Sequence, residues 1–127
     1  NDKVTSLLTD FSWIENHFIP TVQKRGTAII EARRGKSSAA SAANAIINHM
    51  QDWIFGTAQD NWVSMGVPSN GSYGIPSGVI FSFPVTCQNG QYKIVQGLEQ
   101  SASDKEKMQK SYQELISEQE AIKHLLK

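Results

Sequence analysis

A chain of 127 residues with 12 Lys+Arg, 12 Asp+Glu and 39% hydrophobic residues has room for one ordinary domain with its own core. Zero net charge argues against nucleic acid or another polyanion as the main partner, because neutralising phosphates needs clustered excess Lys and Arg. One cysteine excludes an internal disulfide framework, and no apolar run approaches the ~20 residues that would cross a membrane.

The opening Asn1-Asp2-Lys3 lacks the features of a signal peptide, and a first residue other than Met points to a processed or truncated chain. Helix is expected next, in two pieces. Asp10 can cap a turn running through Trp13 and Phe18, and Pro20, which has no N–H, interrupts or restarts the pattern. From Thr21 the small or apolar positions Val22, Gly26, Ile29 and Ile30 form one stripe, with Gly26 expected to permit close packing. Arg33, Arg34 and Lys36 gather around Gly35. Cations followed by a glycine stop read as a helix C-terminus, with an anion site as the alternative.

Ser37 or Ser38 then caps a second helix, whose apolar positions are Ala39, Ala42/Ala43, Ile46, Met50 and Trp53, and which Gly56 ends. Alanines at 39, 40, 42, 43 and 45 make its first turns slim enough for another helix, a second subunit or a ligand to approach, with a helix favoured. Residues 56–100 carry only Asp60, Lys93 and Glu99 as charges, the composition of buried sheet and tight loops. An antiparallel meander is expected there: a strand over 62–67, a Gly/Pro/Ser/Asn loop over 68–78, and a near-continuous apolar strand over 79–87. Pro84 demotes that strand toward an edge or a bulge. Asn89-Gly90 is a hairpin turn, and Tyr92 to Val95 returns. Ser103-Asp-Lys-Glu106 has the form of a capping box opening a long last helix. The apolar face of that helix, Met108, Tyr112, Leu115, Ile122 and Leu125/Leu126, is expected to pack on the sheet and not to form a coiled coil. The fold class is therefore α+β, helices on a small antiparallel sheet, in one unit without repeats or linkers.

No cluster of residues assembles an active site unaided. Gly35-Lys36-Ser37 mimics the tail of a phosphate-binding loop, but the motif also needs glycine at position 30, which is Ile30. The glycines of 71–78 have the wrong spacing for a dinucleotide fingerprint. His17, His49 and His124 fall on three different helices, without the convergent ligands that zinc requires, so no metal is expected. Cys87 lies in a strand pattern where a small buried hydrophobe is the ordinary role, and Glu114, Glu118 and Glu120 form a solvated helix face.

The ordered blocks QKRGTAIIEARRGKSSAASAANAI (Gln23 to Ile46), WIFGT (Trp53 to Thr57), VSMGVPSNGSYGIP (Val63 to Pro76) and FSFPV (Phe81 to Val85) carry a resemblance. Together with VQGL (Val95 to Leu98) and SDKEKM (Ser103 to Met108), they are similar to the C-terminal region of malate dehydrogenases, the cytosolic type above all. The resemblance runs from about Trp13 to the end of the chain.

It implies that residues 1–127 are the substrate-binding domain of an NAD-dependent enzyme of malate metabolism, with NAD bound mainly by an N-terminal Rossmann domain absent here. It further implies a cytoplasmic enzyme acting on malate and oxaloacetate, and a homodimer whose interface uses helices of this region. No catalytic residue is carried over, because the phosphate turn, the substrate-carboxylate arginine and the His–Asp proton relay belong to segments before this chain, and none of the three histidines stands in such a motif. What is carried over is Ser38, and second Ser37, as pocket hydroxyls where the small-residue helix begins beside the substrate. A helix N-terminus with free N–H groups suits a dicarboxylate. Pro20 and Gly35 depart from the family pattern. The competing expectations are a non-catalytic self-association module and a fragment of another 2-hydroxy acid dehydrogenase.

Overall fold

The computed structural model describes residues 7, 8 and 10–125, so Asn1-Asp2-Lys3 and Leu126 lie outside the described residues. The chain divides into two compact units, Asn1–Ile46 and Ile47–Lys127, where its composition suggested one.

In the first unit Asp10 caps α1 (Phe11–Trp13), its Oδ1 accepting the N–H of Ser12 at 3.0 Å and of Trp13 at 3.3 Å. The Ser12 hydroxyl, also donating to that oxygen, is the main cause holding the Asp10 carboxyl below its ordinary value. The helix does not break at Pro20. A π-helical turn, Ile14–Phe18, leads into α2 (Ile19–Gln23), with the Ile19 N–H reaching back five residues to the Ile14 carbonyl. Proline cannot donate, and its ring crowds the carbonyl four residues before it; a widened turn just ahead relieves both problems. α3 (Arg25–Ala32) follows. Beside Gly26 the space is open: apart from its chain neighbours and its own helix backbone, no atom of the described residues lies within 4 Å of where its Cβ would be. α3 stops as its cations and glycine suggested. Arg34 (φ 53°) and Gly35 (φ 86°) are left-handed, and the Gly35 N–H bonds the Ile30 carbonyl at 2.8 Å.

α4 (Ala39–Phe55) begins in the first unit and ends in the second. Gly56 ends it at φ 95°, and a Cβ there would stand 3.1 Å from the Cys87 carbonyl oxygen, so both conformation and space demand glycine.

The second unit is built on an antiparallel sheet in the order β1 (Val63–Pro68), β2 (Ile80–Gln88), β3 (Gln91–Ile94). Asn89 (φ 52°) and Gly90 (φ 74°) make the hairpin turn, both left-handed as its tight two-residue form requires. β2 is the central strand, not an edge. Pro84 is tolerated there because β3 ends beside it: Ile94 pairs with Val85, and the Pro84 carbonyl still accepts the Val95 N–H at 2.9 Å. The strand also alternates. Phe83, Val85 and Cys87 point inward with Met65 and Val67 of β1, and join Ile75 and Ile94 in the core. Trp53 from α4 and Met108 and Tyr112 from the last helix close this core. The Trp53 indole N–H donates to the Gly90 carbonyl at 2.7 Å, fixing the hairpin tip.

That last helix, α5 (Ala102–Ile122), begins two residues earlier than the Ser103–Glu106 box proposed from sequence. Two overlapping boxes are available, and the chain uses Ser101 with Asp104. The Asp104 N–H bonds Ser101 Oγ at 3.1 Å, and the Ser101 N–H bonds Asp104 Oδ2 at 3.1 Å. The apolar stripe packs only in its first half: Met108, Tyr112 and Leu115 are half-buried, whereas Ile122 and Leu125 are exposed.

The Ser101 hydroxyl bond, and then the backbone bond, hold the Asp104 carboxyl below its ordinary value. A depressed carboxylate stabilises the fold above its unfolded pKa, and that contribution is lost as pH falls through the folded value. Ser101→Ala, which removes both the cap on the Asp104 N–H and the hydroxyl bond to its carboxylate, should lower stability at neutral pH. In circular-dichroism melts the difference from wild type should shrink in acid, and an equal deficit at pH 2 and pH 7 would mean that the Asp104 carboxylate adds nothing to the cap.

Candidate functional site

The residues singled out from sequence, Ser37 and Ser38, lie in the turn between α3 and α4. This turn is shaped from both ends. The left-handed pair Arg34-Gly35 reverses the chain, and the Arg33 guanidinium Nη1 donates to the Ser37 carbonyl across it. Ser38 then starts α4, its carbonyl accepting the Ala42 N–H at 3.4 Å. Ser38 is half-buried, while Arg33 to Ser37 and Ala39 to Ser41 are exposed. The Ser38 hydroxyl oxygen lies 2.6 Å from that of Ser41, and the Ser41 hydroxyl is also 3.1 Å from the Ser38 carbonyl oxygen. The turn thus presents two coupled hydroxyls, a helix start and three cations, Arg33, Arg34 and Lys36, a donor set suited to an anionic ligand. Sequence inspection placed Arg33 in the cation cluster that ends the preceding helix, with an anion site as the alternative, and missed Ser41; the available signal for Ser41 was spacing, since a serine three residues into a helix faces its cap.

Elsewhere the chemistry is sparse. His17 and His124 are exposed, and among the described residues no carboxylate pairs with any histidine. Among those residues no group of three His, Cys, Asp or Glu could hold a metal, and no helix is long and apolar enough to cross a membrane. Cys87 borders a cavity of about 540 Å³ lined also by Phe55, Asp60, Tyr92 and Lys93. Burial, and secondarily the charge of Asp52, push the Cys87 thiol up from its ordinary value, which disfavours a thiolate nucleophile. Among the described residues nothing forms the crevice that holds a dinucleotide such as NAD. That crevice forms where a parallel strand feeds a helix through a glycine-rich turn, and the sheet here is wholly antiparallel.

The family described as lactate/malate dehydrogenase, alpha/beta C-terminal domain, matches residues 1–126. The chain belongs to this family. Its helices, three-stranded antiparallel sheet and long last helix are those of a lactate/malate dehydrogenase C-terminal domain. The family match runs across both compact units. Among solved structures, a malate dehydrogenase from Naegleria fowleri is similar at 50% identity and TM-score 0.82, over 91% of this chain and 35% of that one. A Trichomonas vaginalis lactate dehydrogenase, in complex with NADH and oxamate, is similar at 38% identity and TM-score 0.85, over 98% of this chain and 38% of that one. A malate dehydrogenase from Plasmodium falciparum, at 18% identity and TM-score 0.76 over 98% of this chain and 38% of that one, shares the fold. The dehydrogenase domain therefore spans little more than a third of the length of these relatives.

Proposed function

We propose that this domain is the C-terminal, substrate-binding part of an NAD-dependent malate dehydrogenase of the cytoplasmic type, which interconverts malate and oxaloacetate by hydride transfer. The observation that carries the proposal is 50% identity to a malate dehydrogenase over 91% of the chain. The nicotinamide cofactor and the acid–base pair then belong to an N-terminal Rossmann domain. This domain supplies the wall of the pocket that holds the dicarboxylate, with the Ser38 hydroxyl, and second that of Ser37, meeting the substrate beside the start of α4. The exposed Phe11, Trp13, Phe18, Val22 and Ile30 of the first unit support a surface covered in the intact enzyme, a homodimer.

Lactate and pyruvate are the second substrate pair, favoured by 38% identity to a lactate dehydrogenase over 98% of the chain. The full-length polypeptide, purified and sedimenting as a dimer, decides between them by kcat/KM. A pocket built to pair both carboxylates rejects an analogue lacking one by about 10⁴-fold. Oxaloacetate should be preferred over pyruvate by that order. Equal rates, or a preference for pyruvate, would make this a lactate-type enzyme.

A further inference from the structure

If Ser38 is the pocket hydroxyl proposed above, a second hydroxyl governs what it can do. Ser41 Oγ lies 2.6 Å from Ser38 Oγ and 3.1 Å from the Ser38 carbonyl oxygen. A serine has one proton and two lone pairs, so the Ser41 proton has two competing acceptors. When it goes to the carbonyl, the short contact between the hydroxyl oxygens is filled by the proton of Ser38, which then offers a ligand only lone pairs. When it goes to Ser38 Oγ, the Ser38 proton is free to point outward. The first arrangement suits a donor such as a substrate hydroxyl. The second suits an acceptor-only oxygen, a carboxylate or a ketone. Passing from one to the other takes only rotation of two O–H bonds, with no heavy atom moved.

Helix capping alone does not explain this contact. Two capping side chains among the described residues behave otherwise: Asp10 and Ser101 each accept a backbone N–H from the first turn of their helix. Ser38 Oγ is engaged by a side chain instead. We propose that Ser41 is a positioning residue for Ser38, fixing the rotamer of its hydroxyl and setting whether it donates or accepts.

The test is a double-mutant cycle in the full-length enzyme, with KM for oxaloacetate and kcat measured at saturating NADH. Ser41→Ala should raise KM about fivefold, the factor of one net hydrogen bond, and leave kcat nearly unchanged, because the lost contact serves substrate and transition state alike. Ser41→Thr, which restores the hydroxyl, should return KM toward wild type. In a Ser38→Ala background, Ser41→Ala should have no further effect. Alanine is the better helix former, so an unfolded S41A is not expected, and its thermal midpoint provides the check. An unchanged KM in S41A, or the same increase in both backgrounds, overturns the proposal while leaving Ser38 in the pocket. A wild-type KM in Ser38→Ala strikes the pocket assignment itself, and Ser41 falls with it.

Discussion

Assayed alone, the 127-residue chain should oxidise no NADH with oxaloacetate above background. Relative to the full-length enzyme the loss should be about 10⁶-fold or more, the lower end of what enzymes contribute over uncatalysed rates. Two absences within the described residues lead to this expectation. Among them no histidine is paired with a carboxylate, so nothing stands ready to exchange the hydroxyl proton. The sheet is antiparallel throughout and lacks the strand-to-helix crevice that holds a dinucleotide. Coupled absorbance at 340 nm makes the measurement, with the full-length protein as the positive control. Turnover near that of the full-length protein would overturn the assignment of this domain as the non-catalytic part.

The largest stability effect should come from Phe83→Ala. Phe83 is 1% exposed at the middle of the central strand, opposite Met65 in register. Its ring stacks on Tyr73 at 6.4 Å between centroids and meets Phe81 at 5.5 Å. Truncation removes that burial and leaves a cavity in a rigid place, at a cost of about 3–5 kcal/mol. A domain of this size has only about 5–15 kcal/mol in total, so the unfolding midpoint in urea should fall sharply. Phe55→Ala provides the contrast: at 83% exposure it should change stability by less than about 0.5 kcal/mol in the isolated chain. Similar losses at the two positions would mean that the core lies elsewhere.

Local chemistry made much of this fold legible from sequence. Asp10 before Phe11, Gly56 after Phe55 and the Asn89-Gly90 turn each act within a few residues, and each does what its side chain dictates. Features set by distant partners were not legible. Pro84 looks like an edge residue until one knows that β3 ends at Ile94, which depends on pairing across the sheet. Ser101 and Ser103 both begin acceptable boxes, and an aspartate takes the role that the motif gives to Glu or Gln. Gly26 looked like a packing position, yet among the described residues nothing meets it. The candidate site came only from the family resemblance, since a serine at a helix start serves as a cap as readily as a ligand contact. The bond from Arg33 to the Ser37 carbonyl depends on a rotamer that no spacing rule encodes, whereas the three-residue spacing of Ser38 and Ser41 was there to be read.

The widened turn at Ile14–Phe18 also bears on chain length. An α-helix advances about 100° per residue, so side chains five apart would normally point to different sides. Here Trp13 and Phe18 are five apart, and their rings still meet at 5.6 Å. The segment therefore holds one surplus residue, absorbed without putting its two ends out of phase. Deleting a residue between them would keep the aromatic pair, now four apart on an ordinary helix, but would push the ring of Pro20 into the carbonyl behind it. The surplus residue makes room for the proline, so a deletion that removes that residue must also replace Pro20.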